Sequence, residues 1–325
     1  MNTDCAVCYV SDINFLLPSL VSALSLRRFV PASKADIIIF SIGVAEDCIA
    51  ACNEKLLTKG IRVQSLDMRV FAAIDSGNLA KTYTPLGTFG RFFMEEFLPA
   101  ECKRIVYLDG DLLIVGDPTE LIEAKIPEGC LAAADDAISF RHSMGFGKTT
   151  GDIRSYFSAL GLKRGAGYFN AGVFAVSRDT WKTLSKEALS YYLSHMDLCK
   201  HFDQSALNAI VSNKRKSLSV KWNFQTQFKI WGADRCLEPK IVHFTKNPKP
   251  WMGNIDPWGA WYDHYQGELR SLADLNLPLK RVSQEDAKKA NMATKKSYGY
   301  LRWPIVSRIA LKMMSFKEYE DGAWL

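Results

Sequence analysis

The stretch Arg104-Ile-Val-Tyr-Leu-Asp-Gly-Asp111 decides the fold class, because a short apolar run ends there in an acidic turn. Residues two apart in a strand point the same way, so at the end of a strand the carboxylates of Asp109 and Asp111 converge on one point. Hard oxygen ligands of this kind suit Mg²⁺ or Mn²⁺, and a diphosphate completes their coordination. Paired aspartates also occur in solvated turns, so the surrounding sequence has to distinguish the two interpretations.

On both sides of this stretch, short apolar runs alternate with amphipathic segments. This alternation predicts an α/β fold with a mostly parallel sheet flanked by helices. The predicted strands are Ala6–Val10, Ile37–Phe40, Ile61–Ser65, Arg104–Leu108, Leu131–Ala134, Val173–Val176 and Ile241–Phe244. The predicted helices are Phe15–Arg27, Glu46–Lys59, Phe89–Phe97, Trp181–His195 and Asp203–Val211. Open α/β sheets bind ligands beyond the carboxyl ends of their strands, so the polar residues after each strand are the functional candidates.

One such candidate is His243, at the end of the predicted strand Ile241–Phe244. An imidazole added to two carboxylates gives a mixed oxygen and nitrogen site, which is typical of manganese. Lys246 and Lys249 follow and are suited to phosphate oxygens. The segment Phe140–Gly167 is rich in glycine and polar residues, which favours a lid or binding loop.

Composition limits the possible functions. The 325 residues are 48% hydrophobic and 23% charged, as in ordinary globular proteins, and the net charge of +6 is too small to indicate nucleic-acid binding. The sequence begins without a basic, apolar secretory signal and has no apolar run near the ~20 residues that span a bilayer. We therefore expect a cytoplasmic protein.

Basic residues concentrate near the C-terminus, where Lys288 to Arg308 includes six lysines and arginines and no acidic residue. An apolar face at helical spacing follows over Trp303–Phe316, consisting of Val306, Ile309, Met313 and Phe316. This basic amphipathic tail predicts peripheral docking on an anionic membrane, at the inner face of the cytoplasmic membrane. The alternative is a helix packed against the catalytic domain.

Four segments, in order, resemble glycosyltransferase family 8, the retaining group that includes bacterial lipopolysaccharide galactosyl- and glucosyltransferases and glycogenin. They are Leu108-Asp-Gly-Asp111, Tyr168-Phe-Asn-Ala-Gly-Val173, Asp203-Gln-Ser-Ala-Leu-Asn208 and His243-Phe-Thr245 with Lys249-Pro-Trp251. The resemblance covers roughly Cys5 to Trp261. The sequence departs from the family pattern at two places. Ser205 stands where the family often has an aspartate, and the glycine that commonly follows the histidine motif is replaced near Lys246 and Asn247.

The resemblance implies a GT-A fold, a donor such as UDP-galactose or UDP-glucose, and Mn²⁺, or else Mg²⁺, held by Asp109, Asp111 and His243 with Gly110 between the aspartates. It also implies a role for each of the remaining site residues: uridine and ribose contacts for Asp12 and Asn14, donor binding for Arg91, phosphate contact for Lys249, sugar hydroxyls for Asn170 and Asp203, a place beneath the anomeric carbon for Gln204, and the junction of donor and acceptor sugars for Asp135 or Asp136.

The predicted function is therefore a retaining, manganese-dependent hexosyltransferase that acts on a saccharide or glycolipid acceptor such as lipopolysaccharide or another cell-surface glycan. The alternatives are a nucleotide-sugar hydrolase or nucleotidyltransferase and a non-catalytic nucleotide-sugar or lipid-binding scaffold. The predicted domains are a catalytic region at 1–265, with a nucleotide-binding half at 1–134 and an acceptor and metal half at 135–265. A C-terminal tail at 266–325 completes the chain.

Overall fold

The computed structural model describes residues 3–67, 69, 86–143, 149–162, 167–211, 213–254, 257–300 and 316–325. The strands are β1 Cys5–Asp12, β2 Asp36–Ile42, β3 Ile61–Ser65, β4 Arg104–Leu108, β5 Leu112–Ile114, β6 Leu131–Asp135, β7 Phe169–Ser177, β8 Arg215–Ser217, β9 Phe224–Gln225 and β10 Ile241–His243. The helices are α1 Ile13–Arg27, α2 Glu46–Leu56, α3 Leu86–Gly90, α4 Thr119–Glu123, α5 Ala137–Ser143, α6 Thr149–Ala159, α7 Arg178–Ser194, α8 Phe202–Val211, α9 Thr226–Trp231, α10 Ala260–Arg270 and α11 Gln284–Tyr300.

The large sheet has the strand order β3-β2-β1-β4-β7-β6-β8. Neighbouring strands pair in parallel except at β7, which runs antiparallel to β4 and to β6. A smaller sheet has the order β5-β10-β9. The predicted mixed, mostly parallel sheet flanked by helices is therefore confirmed, and each of the seven predicted strands is present.

Helix α1 explains how the two sheets are joined. Its residues from Leu16 to Leu26 are buried, because α1 packs on β1 and β2 on one side and on β5 and α10 on the other. The Ser25 hydroxyl accepts a hydrogen bond from the Ile114 amide at 3.1 Å. Burial on both sides excludes the polar face that a surface helix of a globular protein shows.

The parallel strands β1, β4 and β6 end at one edge of the large sheet, and the antiparallel β7 begins there. Asp12 ends β1, Asp109 follows β4, Asp135 ends β6, and Asn170 is the second residue of β7. This edge is where open α/β sheets bind ligands. The topology therefore gathers residues that are far apart in the sequence.

Two predicted elements were wrong. The predicted helix Phe89–Phe97 is instead the end of the short α3, a turn and a 3₁₀ helix at Met94–Phe97, since Gly90 weakens its first turn. The predicted loop Phe140–Gly167 contains most of α5 and all of α6, and the stretches 144–148 and 163–166 lie outside the described residues. Helix α6 forms because it buries Ile153, Tyr156 and Phe157, which recur at helical spacing together with Leu160 directly after the helix.

The C-terminal region is described in two parts. The helix α10 runs across the predicted boundary at 265, and α11 covers the first half of the basic stretch. The predicted helix Trp303–Phe316 lies outside the described residues except for Phe316, which is buried in the main core, so its side chain is not available to lipid as predicted. Among the described helices none is both long and apolar enough to cross a bilayer.

Candidate active site

The β5–β10 pairing brings the three predicted metal ligands together. His243 pairs with Leu112 across the small sheet, and the Phe244 amide donates to the Asp111 carbonyl at 3.0 Å. His243 Nε2 lies 3.2 Å from Asp111 Oδ1 and 3.9 Å from Asp109 Oδ2. One ligand atom from each of the three residues falls within 4.8 Å of the others.

The environment of His243 fits a metal ligand. Its Nδ1 lies 2.8 Å from Asn223 Oδ1, an acceptor that fixes the proton on Nδ1 and leaves the Nε2 lone pair directed at the carboxylates. Gly172 faces the same point: a Cβ there would lie 2.3 Å from His243 Cε1 and 2.6 Å from Asp109 Oδ2. Two carboxylates and a neutral imidazole form a donor set that suits Mn²⁺ or Mg²⁺.

Lys249 contacts Asp111 directly, with its Nζ 2.7 Å from Asp111 Oδ2. Burial by itself raises the pKa of the Asp111 carboxyl, but the charge of Lys249 outweighs burial and holds this pKa well below its usual range. Asp111 is therefore ionised and available as a ligand. The predicted phosphate contact of Lys249 stays a prediction; Lys246, which follows the same strand, lines the cleft.

Arg91 links the metal ligands to the predicted sugar site. Its guanidinium lies 2.9 Å from Asp109 Oδ1 and 3.0 Å from Asp203 Oδ2, and it donates to the Ala171 carbonyl at 2.7 Å. It also lies over the Tyr107 ring, 4.2 Å from the centroid. Burial disfavours the charge, but Asp203, Tyr107 and Asp109 outweigh burial and raise the pKa of Arg91. Burial raises the pKa of Asp203 to about 6, although Arg91 opposes this shift.

The three predicted metal ligands line an open cleft of about 510 Å³. Its walls contain Asp136, Asn170, Asp203 and Gln204, which are four of the predicted sugar-site residues. The Asp136 carboxylate accepts hydrogen bonds from Asn170 Nδ2 at 2.9 Å and from Gln204 Nε2 at 3.2 Å. Asn223 Nδ2 donates to Asn170 Oδ1 at 2.9 Å, so one chain of hydrogen bonds runs from His243 to Gln204.

Asp135 and Asp136 have different environments. The Asp135 carboxylate forms an ion pair with Arg215 and is buried, and it is not among the residues that line the cleft. Asp136 lines the cleft, so the structure favours Asp136 over Asp135 at the predicted junction of the two sugars. Ser205, which stands where the family often has an aspartate, is fully buried, and its hydroxyl lies 2.7 Å from the Tyr156 hydroxyl. Its side chain is therefore not among those that line the cleft.

A second cavity of about 240 Å³ adjoins the first, and Gly110 and Asp12 line it. Asp12 caps α1, with Oδ1 accepting from the Asn14 and Phe15 amides at 2.9 and 3.0 Å. The Asn14 side chain is exposed and is not among the residues that line this cavity. At Gly110 a Cβ would lie 2.4 Å from Ser19 Oγ, so a larger residue in the Asp-Gly-Asp turn would have to displace the Ser19 side chain.

Sequence reasoning missed several residues of the cleft. Gln225 accepts from the Ala137 amide and donates to the Asp135 carbonyl, both at 3.0 Å. Phe202 has φ +48°, a conformation rare for a bulky residue, and its ring is partly exposed in the cleft. His201 also lines the cleft, and burial lowers the pKa of His201, which keeps its ring neutral. The sequence did offer a signal for these residues: His201 and Phe202 directly precede the predicted site residue Asp203, and Gln225 is a polar residue in β9.

Known proteins share both the sequence and the fold. The family model described as glycosyl transferase family 8 matches residues 6–254. Glycosyltransferase GlyE of Streptococcus pneumoniae is 30% identical over 50% of this chain and 37% of its own length. Lipopolysaccharide 1,3-galactosyltransferase of Salmonella typhimurium is 26% identical over 54% of this chain and 50% of its own. The chain thus spans half or less of the length of these two curated relatives.

A solved structure of galactosyltransferase LgtC in complex with donor and acceptor sugar analogs has the same fold, with a TM-score of 0.67 and 21% sequence identity. The match covers 87% of this chain and 99% of that one. The predicted GT-A fold is thereby confirmed. The family model covers most of the chain and includes the Asp-Asp-His cluster and the cleft. The chain therefore belongs to glycosyl transferase family 8.

Proposed function

We propose that this transferase moves a hexose, galactose or glucose, from a UDP-sugar to a saccharide acceptor with retention of configuration, and that it depends on Mn²⁺, with Mg²⁺ as the alternative. The observation that carries the proposal is the convergence of Asp109, Asp111 and His243 beside a polar cleft. A bound divalent cation supplies Lewis-acid stabilisation of the charge that develops on a leaving diphosphate.

The chain's own residues then have distinct tasks. The cavity lined by Asp12 and Gly110 adjoins the metal ligands and takes the nucleoside. Lys246 lines the cleft, where its charge attracts phosphate oxygens. Arg91 fixes Asp109 and Asp203 in one arrangement, and Asp203 with Asn170 holds donor-sugar hydroxyls. These groups orient the donor before reaction, which lowers the entropic cost of reaching the transition state.

Retention is proposed to occur by attack from the face that the diphosphate leaves. Gln204 is a neutral amide whose oxygen accepts from the Ala171 amide at 3.1 Å, and Ser205 is fully buried. Neither is suited to be a nucleophile. The oxocarbenium-like transition state is then stabilised by the polar cleft, and the leaving phosphate accepts the acceptor's proton. A trapped glycosyl adduct on any side chain would contradict this mechanism.

The acceptor is proposed to be a saccharide or glycolipid such as lipopolysaccharide or another cell-surface glycan. The support is the similarity to a lipopolysaccharide 1,3-galactosyltransferase and the open cleft of about 510 Å³. Asp136 lines that cleft and accepts hydrogen bonds from Gln204 and Asn170. We therefore expect donor and acceptor sugars to meet beside Asp136.

The first test measures UDP release from a panel of UDP-sugars, with and without Mn²⁺, with a saccharide acceptor. We expect release that prefers one UDP-sugar, needs the metal and is lost in the double variant Asp109→Ala/Asp111→Ala. Asp117→Asn is the matched control, because this exposed aspartate follows β5, accepts from the Thr119 amide and is not among the residues that line the cleft. Tight UDP binding without turnover would indicate a binding scaffold, and release unaffected by acceptor would indicate a hydrolase.

Membrane docking through the basic tail is the proposed basis of a peripheral location at the inner face of the cytoplasmic membrane. The support is the basic stretch Lys288 to Arg308. Changing Lys295, Lys296, Arg302 and Arg308 to glutamine should abolish sedimentation with phosphatidylglycerol vesicles and leave UDP release to a soluble acceptor intact. Unchanged sedimentation would exclude this stretch as the anchor.

A further inference from the structure

The last ten residues, 316–325, pack against the catalytic sheet. Phe316 is buried against Phe140 and Phe228, at centroid distances of 5.7 and 5.8 Å. The Tyr319 ring also contacts Phe140, at 5.1 Å. This anchoring places the C-terminus next to α5, the helix that begins directly after Asp136.

The same segment covers the edge of the large sheet at β8. The Trp324 amide donates to the Ser217 carbonyl at 2.7 Å, and the Leu325 carbonyl accepts from the Ser219 amide at 2.7 Å. The Glu320 carboxylate accepts from the Val220 amide at 2.9 Å. Edge strands leave backbone groups unpaired, so these hydrogen bonds give the C-terminus a defined register on the sheet.

Tyr319 connects this segment to the strand that leads into the cleft. The ladder between β6 and β7 shifts register between Ala133 and Asp135. At this irregularity the Asp135 amide donates to Tyr319 Oη at 3.0 Å, and Tyr319 donates to the Leu218 carbonyl at 2.7 Å. Burial raises the pKa of the Tyr319 phenol well above its usual range, so the proton for the second bond is retained.

The turn after Asp135 is thus held from two sides. Tyr319 holds the Asp135 amide from the outer side, and Gln225 holds the Asp135 carbonyl from the cleft side at 3.0 Å. The Asp136 amide then donates to the Tyr168 carbonyl at 2.8 Å, and its carboxylate faces Asn170 and Gln204. A shift of the Asp135 peptide therefore moves the Asp136 carboxylate.

We propose that Tyr319 is a positioning residue for the part of the cleft formed by Asp136, Asn170 and Gln204, and that it acts on Asp136 through the Asp135 amide. The segment 316–325 is then part of the working transferase. The inference rests on the proposed function for the role of Asp136. It predicts that loss of the Tyr319 phenol hydroxyl slows sugar transfer without lowering the affinity for the nucleotide or for the metal ion.

The test compares Tyr319→Phe with Tyr9→Phe in the full chain. Tyr9 Oη lies 3.2 Å from Ser22 Oγ in the core, so Tyr9→Phe removes a buried phenol hydrogen bond in a different part of the fold. The measurements are kcat and KM for sugar transfer, Mn²⁺ and UDP affinity, thermal midpoint, and amide hydrogen exchange in peptides from 131–143.

For Tyr319→Phe we expect kcat to fall about tenfold, because small misplacements of a cleft residue cost rate, while Mn²⁺ and UDP affinities stay within about twofold. Exchange over 131–143 should accelerate in this variant alone. Tyr9→Phe should lower the thermal midpoint and leave kcat unchanged.

The outcomes separate the two proposals. Equal kcat in Tyr319→Phe and wild type overturns the positioning role, as does unchanged exchange over 131–143. If wild type turns over no UDP-sugar, the proposed function fails, and the exchange measurement alone decides whether Tyr319 orders the Asp135 turn.

Discussion

The two ends of the cleft are built from different chemistry. At the proposed metal end, two charged pairs are in contact, Asp109 with Arg91 and Asp111 with Lys249, and the His243 ring lies beside Asp111. At the other end, proposed to bind the sugars, neutral amides of Asn170, Gln204 and Gln225 surround the Asp135–Asp136 turn. Charges bind a cation and a diphosphate, whereas amides suit hydroxyl groups that both donate and accept.

This difference predicts which substitutions the protein tolerates. Removing one partner of a buried ion pair leaves an uncompensated charge, whereas an amide network of hydrogen bonds loses less per bond. The two ends also share one chain of hydrogen bonds, from His243 through Asn223 and Asn170 to Asp136. Mutations should therefore show whether the ends act separately.

The largest expected effect is at Asp111. Asp111→Asn leaves Lys249 buried without its carboxylate, so we expect the free energy of unfolding to fall by about 3–5 kcal/mol. Metal-dependent UDP release should fall by about 10³-fold or more, because a Lewis acid supplies several kcal/mol and ~1.4 kcal/mol corresponds to tenfold in rate. Chemical denaturation and the UDP assay measure the two effects.

Adding Lys249→Met to Asp111→Asn sharpens this result. The double variant removes the unpaired charge, so it should recover most of the stability and none of the metal-dependent release. Recovery of metal-dependent release in the double variant would show that Asp111 is not a metal ligand.

A pair of glycine substitutions separates the two ends. A Cβ at Gly172 would meet His243 and Asp109, so Gly172→Ala should lower Mn²⁺ affinity about 10–100-fold, as loss of a group that orients ligands does. At Gly167 a Cβ would lie 2.4 Å from Asp135 Oδ1, so Gly167→Ala should leave Mn²⁺ affinity unchanged and lower kcat about tenfold.

Gly151→Ala is the control for this pair, because a Cβ at Gly151 in α6 meets no atom within 4 Å. Manganese binding followed by electron paramagnetic resonance and a transfer assay give the two readouts. Equal loss of Mn²⁺ affinity in Gly172→Ala and Gly167→Ala would mean that the two ends are one unit.

The smallest expected effect is a pH dependence from Asp203, whose pKa burial raises to about 6. Below this pH the carboxyl is protonated and its ion pair with Arg91 weakens, so kcat/KM at saturating Mn²⁺ should fall as pH drops through about 6. The effect on stability has the opposite sign, because the Asp203 carboxyl binds a proton more tightly in the folded than in the unfolded state. Its contribution to the free energy of unfolding is fully present below pH about 4 and is lost as pH rises through about 6.

Asp203→Asn tests the assignment, because an amide does not titrate in this range. Its kcat/KM should be lower throughout and should lack the acid limb that wild type shows near pH 6. An unchanged acid limb in Asp203→Asn would assign that limb to another group.

Much of this protein was predictable because strands and helices follow local periodicity. The apolar run Arg104–Leu108 is β4 with the predicted bounds, and Asp109 and Asp111 come together after it. Helix α6 was missed because the glycines around it outweighed its apolar face. The choice between Asp135 and Asp136 needed the structure, since the ion pair with Arg215 joins residues 80 apart in the sequence.

The sequence alone determined the α/β class, the acidic turn after β4 and the family, because these depend on residue type and short spacing. Only the tertiary structure decided that Lys249 pairs with Asp111, that Asn223 orients His243 and that Tyr319 holds the Asp135 amide. Tyr319 and Asp135 are 184 residues apart. Contacts over such separations depend on strand register and on how the C-terminus docks, and neither leaves a local pattern in the sequence.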